Sequence, residues 1–228
     1  MTVLRDPTLE GKLADLHAKS DAQIAATNAW YAERAGKSLS AEADAAQLKA
    51  FRADKFVALD RDKAEFCYQL LRAGDARRIV EIGTSYGVST LYLAAALRDN
   101  IAATGGNGIV IGTEYEPSKA SEARALFAET GLAHLIDLRE GDLRDTLRTI
   151  RGPIDFALVD IWVPMARPAL ELIAPHLRPG AIVVCDNTAE HRAAYADYFA
   201  FIDDAANGFR TMTLPFGGGF EFSVRCPT

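Results

Sequence analysis

The chain has 228 residues, of which 49% are hydrophobic and 25% charged, a balance typical of one globular domain with a substantial core. A net charge of −6 without a Lys/Arg run argues against a nucleic-acid partner, because such binding depends on neutralising phosphates with basic side chains. The first residues lack the apolar run of a signal peptide, and no later run approaches the roughly 20 residues that cross a bilayer, so we expect a cytoplasmic protein without a membrane partner.

The first 75 residues have a helical pattern. Alanine-rich stretches with apolar residues at helical spacing predict helices over 21–35, 41–51 and 60–73. We expect residues 1–75 to form a helical arm, either capping an active site, forming a dimer contact, or covering the core.

From residue 77 onward, short apolar runs alternate with amphipathic segments. The runs lie at 77–83, 108–115, 135–142, 154–162 and 181–187, with helical candidates near 88–98, 117–130, 143–150, 164–177 and 189–205. This alternation indicates βαβ units and a parallel sheet covered on both faces. Two final runs, 209–216 and 220–225, are joined by three glycines and predict an antiparallel hairpin. The expected fold of residues 76–228 is α/β, a doubly wound Rossmann-like sheet of five parallel strands plus a hairpin, which is the methyltransferase pattern.

Three strand ends could hold an adenosyl cofactor, since ligands of such sheets lie beyond the carboxyl ends of the strands. The first turn contains Gly83 and Gly87, but Ser85 stands where a dinucleotide fingerprint has glycine, so a carboxylate fits better than a pyrophosphate. Glu114 after the second strand is positioned to accept hydrogen bonds from a ribose diol, and Asp142 after the third could accept the adenine amine. Each feature also has a bland interpretation, a glycine turn or a solvated acid. Together they favour an adenosyl cofactor.

The fourth and fifth strands end in oxygen-bearing side chains. Asp160 follows the run IDFALV, and Asp186 and Asn187 follow AIVVC. Two carboxylates and an amide are the hard ligands that suit Mg²⁺ or Ca²⁺. A metal ion there would lower the pKa of a substrate hydroxyl.

These motifs, taken together, resemble those of the catechol and caffeoyl-CoA O-methyltransferase family over residues 55–225. The resemblance rests on Glu81-Ile82-Gly83…Gly87-Val88-Ser89, Thr113-Glu114…Pro117, Val159-Asp160-Ile161-Trp162 and Leu177-Arg178-Pro179-Gly180…Cys185-Asp186-Asn187. It implies S-adenosylmethionine (SAM) as cofactor and a small, aromatic acceptor, and it allows a homodimer. The implied cofactor contacts are Leu59, through its backbone to the methionine moiety, Glu81, Gly83, Ser89, Glu114, Asp142 and Asp160. The implied metal ligands are Asp160, Asp186 and Asn187, with Trp162 walling the substrate pocket.

One position departs from the family pattern. The catechol-type members have a lysine general base three residues after the first metal-binding Asp, and this chain has Val163 there. His191 is a candidate replacement, because an unperturbed histidine can act as a base at neutral pH. The alternative interpretation is that His191 is an ordinary polar residue early in an exposed helix.

The sequence thus leaves three hypotheses. The first is a metal-assisted SAM-dependent O-methyltransferase. The second is a metal-independent methyltransferase of the same fold, with Asp160 or His191 as base. The third is a cofactor-binding protein with little catalysis.

Overall fold

A computed structural model describes residues 3–34, 47–48, 50–51 and 53–227. The named helices are α1 Pro7–Arg34, α2 Arg61–Ala73, α3 Val88–Thr104, α4 Pro117–Glu129, α5 Leu143–Thr146, α6 Val163–Ile173 and α7 Ala196–Ile202. The strands are β1 Arg78–Ile82, β2 Ile109–Glu114, β3 Ile136–Glu140, β4 Ile154–Val159, β5 Leu177–Asp186, β6 Phe209–Leu214 and β7 Phe220–Arg225.

The described strands form one sheet in the order β3-β2-β1-β4-β5-β7-β6. The first five are parallel, and β7 runs antiparallel between β5 and β6. The order reverses direction between β1 and β4, which makes their carboxyl ends the switch point where ligands of such sheets bind. The predicted fold class, five parallel strands with a terminal hairpin, is confirmed.

Alternating side chains of the strands supply a core on each face of the sheet. In β1, Ile79 packs into the core that contains α2, α3 and α4, whereas Val80 and Ile82 pack into the core beneath α6 and α7. Successive strand side chains point to opposite faces, so a strand buried on both sides is mainly apolar. This explains why the strands have continuous apolar runs.

The N-terminal helices share the first of these cores. Leu9 and Leu13 of α1 and Leu71 of α2 are buried with the side chains of α3. The helix predicted over 60–73 is present as α2, and α1 begins fourteen residues before the predicted 21. The predicted helix over 41–51 lies mostly outside the described residues. The division into units 1–75 and 76–228 stays a prediction.

The helix predicted over 189–205 is wrong in its first part. Residues 187–195 form hydrogen-bonded turns, and α7 begins only at Ala196. The backbone N–H groups of Ala189 and Glu190 donate to the carbonyl of Gly218, at 3.0 and 2.9 Å. The carbonyl in the hairpin turn therefore accepts hydrogen bonds from the first two residues of the predicted helix. The helix predicted over 143–150 is also shorter, ending at Thr146.

Among the residues that the structure describes, no helix is both long enough and apolar enough to cross a membrane.

Candidate active site

Gly83 brings the ends of β1 and β4 into contact. Its φ is +100°, and a Cβ at this position would overlap the backbone carbonyl of Asp160. The amide of Asp160 in turn donates to the carbonyl of Ile82 at 3.0 Å. Only glycine adopts this conformation without strain and leaves room for a second backbone. The close backbone approach expected at this glycine is thus made with β4.

Glu81 is fully buried and organises the loop after β1. Its carboxylate accepts hydrogen bonds from the hydroxyls of Ser89 (2.7 Å), Thr84 (2.9 Å) and Thr90. Burial raises the pKa of Glu81, and the three hydroxyls oppose that shift. A carboxylate has about four acceptor positions, so one remains for a ligand. The sequence analysis named Glu81 and Ser89 as site residues but did not name Thr84 or Thr90. The only sequence feature that points to these threonines is a hydroxyl three and nine residues after Glu81.

Glu114 ties the end of β2 to the same loop. One carboxylate oxygen accepts the N–H of Ser85 at 2.7 Å, and the other accepts the N–H of Glu116 at 2.7 Å. Ser85 has a positive φ of 50°, so the loop turns its amide towards this acid. The remaining lone pairs of Glu114, which is 9% exposed, are available to a diol.

Asp142 stands after β3 and begins the short helix α5. Its carboxylate accepts the N–H of Arg144 at 2.9 Å and also binds the Arg144 guanidinium. These hydrogen bonds lower the pKa of Asp142 to about 2. The predicted adenine contact would therefore share this carboxylate with Arg144.

Trp162 and Val163 lie where β4 passes into α6. Trp162 is the residue before the helix and is 37% exposed, and Val163 is the first helical residue. Leu59, by contrast, is buried (3% exposed) in the segment that precedes α2.

Asp160 and Asp186 are brought together at the ends of β4 and β5. Burial raises the pKa of the Asp160 carboxyl well above its ordinary value, and the nearby charges of Asp186 and Glu81 raise it further. The Asp186 side chain is also buried, and its Oδ2 accepts the amide N–H of Asn187 at 2.8 Å. The Asn187 amide oxygen faces the hairpin, since a Cβ at Gly218 would overlap it.

The ammonium of Lys63 lies against the carboxylates of this cluster. Its Nζ lies 2.6 Å from Asp186 Oδ1 and 2.8 Å from Asp60 Oδ2, and its side chain is 0% exposed. Burial alone would lower the pKa of Lys63, but the hydrogen bonds and charges of Asp186 and Asp60 outweigh it and raise the pKa above its ordinary value. Sequence reasoning assigned Lys63 no role. The sequence feature that could have indicated a role is the spacing of Asp60, just before α2, and Lys63, three residues later in its first turn.

The turn segment 187–195 and the hairpin border an open depression of about 450 Å³, lined by Ala189, Glu190, Thr213, Leu214, Pro215, Phe216, Gly218 and Gly219. His191 belongs to the same turn segment, and its side chain is exposed.

A model of the methyltransferase domain matches residues 80–188. The catechol O-methyltransferase of Mycobacterium tuberculosis is 32% identical over 148 residues, which cover 64% of this chain and 61% of that protein. Over these residues the chain is similar to methyltransferases, among them a catechol O-methyltransferase. The sheet order and the switch-point loop agree with that similarity.

Two solved methyltransferases share the fold. An O-methyltransferase from Bacillus cereus in complex with SAH has a TM-score of 0.66 at 21% identity, covering 88% of this chain and 97% of that one. The O-methyltransferase TomG from Streptomyces achromogenes, in complex with SAM, has a TM-score of 0.65 at 24% identity, covering 89% and 96%. The chain spans about three fifths of the length of the curated relatives that it matches.

The candidate metal centre does not fit a divalent cation in this arrangement, because the ammonium of Lys63 already lies against it. Its Nζ is 2.6 Å from Asp186 Oδ1, and its positive charge would repel a second cation at the same carboxylate. The other oxygen of Asp186 accepts the side-chain amide N–H of Asn187. The predicted set Asp160, Asp186 and Asn187 lies together, but with a lysine among them.

Proposed function

We propose that the chain is a SAM-dependent O-methyltransferase acting on a hydroxyl of a small, aromatic acceptor. The observation that carries the proposal is the geometry of the loop after β1, at the switch point. The buried carboxylates of Glu81 and Glu114 accept hydrogen bonds from this loop. Gly83, at its start, lies against the backbone of Asp160 at the end of β4. A carboxylate with lone pairs left over at the end of β2 is the arrangement that binds a ribose diol. The similarity to methyltransferases supports the same cofactor.

The cofactor contacts we propose are those that the resemblance implies. Glu114 would accept the ribose hydroxyls, and the last acceptor position of Glu81 would take an ammonium N–H. The other proposed contacts are Leu59, Gly83, Ser89, Asp142 and Asp160.

SAM, when bound, supplies an electrophilic methyl group on a sulfonium. The task of the protein is to align an acceptor oxygen with that methyl and to exclude water. Asp160 at the end of β4 is the proposed base, since it stands at the junction of the cofactor loop and the acidic cluster. His191 is the second candidate, beside the depression that would admit the acceptor, and Trp162 would form a wall of the pocket.

Of the two enzymatic hypotheses, we favour transfer without a divalent metal. The supporting observation is the buried ammonium of Lys63, 2.6 Å from Asp186 Oδ1, because its positive charge would repel a divalent ion at the same carboxylate. Metal dependence, the identity of the acceptor and the homodimer stay predictions.

The proposal is tested by following transfer of a labelled methyl group from SAM to a panel of catechol-type and other phenolic acceptors. We expect an O-methylated product that forms at the same rate after EDTA treatment, and a large loss of rate in Asp160→Asn. Tight SAM binding without any methylated product across the panel would favour the non-catalytic hypothesis instead.

A further inference from the structure

Lys63 is a fully buried lysine, which is rare unless the ammonium is paired. Removing an ammonium from water costs several kcal/mol, so the position persists only because the partners offset that cost. Two of its three N–H donors are accounted for by Asp186 and Asp60. Asp186 lies 123 residues away in sequence, so the pair joins the first turn of α2 to the end of β5.

The surroundings of Lys63 are otherwise acidic. Its ammonium lies 2.6 Å from Asp186 and 2.8 Å from Asp60, and Asp160 follows β4, which pairs with β5 in the sheet. Like charges buried together repel strongly unless a cation lies between them. A divalent ion is the usual solution for a carboxylate cluster, and here an ammonium occupies the cluster.

We propose that the Lys63 ammonium is the resident cation of this centre and takes the place that the family resemblance assigns to a divalent metal. The inference rests on the proposed function, because it concerns the acceptor end of the same site. Lys63 is a positioning residue: it holds Asp186 in place and neutralises the acidic cluster.

The same contacts fasten the segment that precedes α2. Asp60 immediately precedes the helix and Lys63 lies in its first turn, so the ion pair holds residues 59–60 close to the end of β5. Leu59, the proposed backbone contact to the methionine moiety, belongs to this segment. Lys63 thus connects the segment proposed to contact SAM with the acidic cluster at the acceptor end of the site. A metal ion held only by the ends of β4 and β5 would not make this connection.

The test is Mn²⁺ binding, measured from the electron paramagnetic resonance signal of the free ion, with neither SAM nor acceptor present. We compare the wild-type chain, Lys63→Ala, Lys63→Arg and, as a matched control, Lys12→Ala, which removes an exposed lysine paired with Glu129. Lys63→Ala is expected to bind Mn²⁺ at least about tenfold more tightly than the wild type, equivalent to about 1.4 kcal/mol. Lys63→Arg and Lys12→Ala should match the wild type.

Further variants keep the test decisive. If Lys63→Ala does not fold, Lys63→Gln, which retains a long polar side chain, takes its place. Adding Asp186→Asn to the Lys63 variant should abolish the gained Mn²⁺ affinity. A purely structural lysine would lower the unfolding temperature of its variants without producing any metal affinity.

Two results would overturn the inference. One is stoichiometric Mn²⁺ binding by the wild type that Asp186→Asn removes, and the other is no gain of affinity in any folded, uncharged Lys63 variant. Neither depends on turnover, so failure to methylate any acceptor would count against the proposed function alone.

Discussion

Glu114 combines a structural task with a proposed binding task in one side chain. Its oxygens accept the backbone N–H groups of Ser85 and Glu116, which orients the carboxylate at the carboxyl end of β2. Glu116 lies two residues further along, at the start of α4, and its side chain makes no capping hydrogen bond. The two acids therefore form a matched pair for mutation.

We expect Glu114→Gln to weaken SAM binding by about tenfold or more, since the amide group would face an N–H donor and lose an acceptor, a cost of about 1–3 kcal/mol. Glu116→Gln should leave the affinity within about twofold of the wild type. Calorimetric titration of both variants measures the difference. Equal affinities in the two variants would show that Glu114 does not contact the ribose.

The order of strand ends predicted Glu114 correctly at the end of β2, because the carboxyl ends of parallel strands meet at one edge. Lys63 had no comparable signal. A lysine in the first turn of a helix is expected to be solvated, and its partner Asp186 is remote in sequence. Periodicity detects which residues share an element, and it contains no information on which side chains of distant elements meet.

The hairpin between β6 and β7 shapes the neighbouring turn segment 187–195. The carbonyl of Gly218 accepts the N–H groups of Ala189 and Glu190, and Gly219 packs against Ala189 with a φ of +82°. α7 begins only at Ala196, and the turn segment and the hairpin border the open depression. The apolar pattern after Asn187 is compatible with a helix, so the sequence alone predicted one. The hydrogen bonds between this segment and the hairpin could not be predicted from that pattern.

We expect Gly219→Ala to raise the KM for the acceptor while leaving SAM affinity unchanged. A Cβ there would collide with Ala189 and displace one wall of the depression. Gly105→Ala is the matched control, because Gly105 also has a positive φ (+75°) but no atom within 4 Å of an added Cβ, and it lies at the far end of α3. Steady-state kinetics on both variants provide the measurement. An unchanged KM in Gly219→Ala would mean that the acceptor binds elsewhere.

At the scale of the whole molecule, the alternation of apolar runs with amphipathic segments was enough to predict the sheet, because strands buried on both faces are mainly apolar. The N-terminal helices were harder to place. Their spacing showed that they were helical, whereas the burial of Leu9 and Leu13 with α3 depends on contacts distant in sequence. The structure therefore adds that the segment before the first strand contributes to the core of the sheet.

The central claim, that this fold binds SAM beside a centre that needs no metal ion, is tested most directly by calorimetry with SAM and then with a catechol-type acceptor. The SAM-bound chain is titrated with the acceptor once with Mg²⁺ present and once after EDTA. We expect the acceptor to bind with the same affinity within about twofold in both conditions, since Lys63 supplies the cation at the acidic cluster. Loss of acceptor binding after EDTA would contradict the metal-free centre, and no SAM binding in either condition would contradict the proposed function itself.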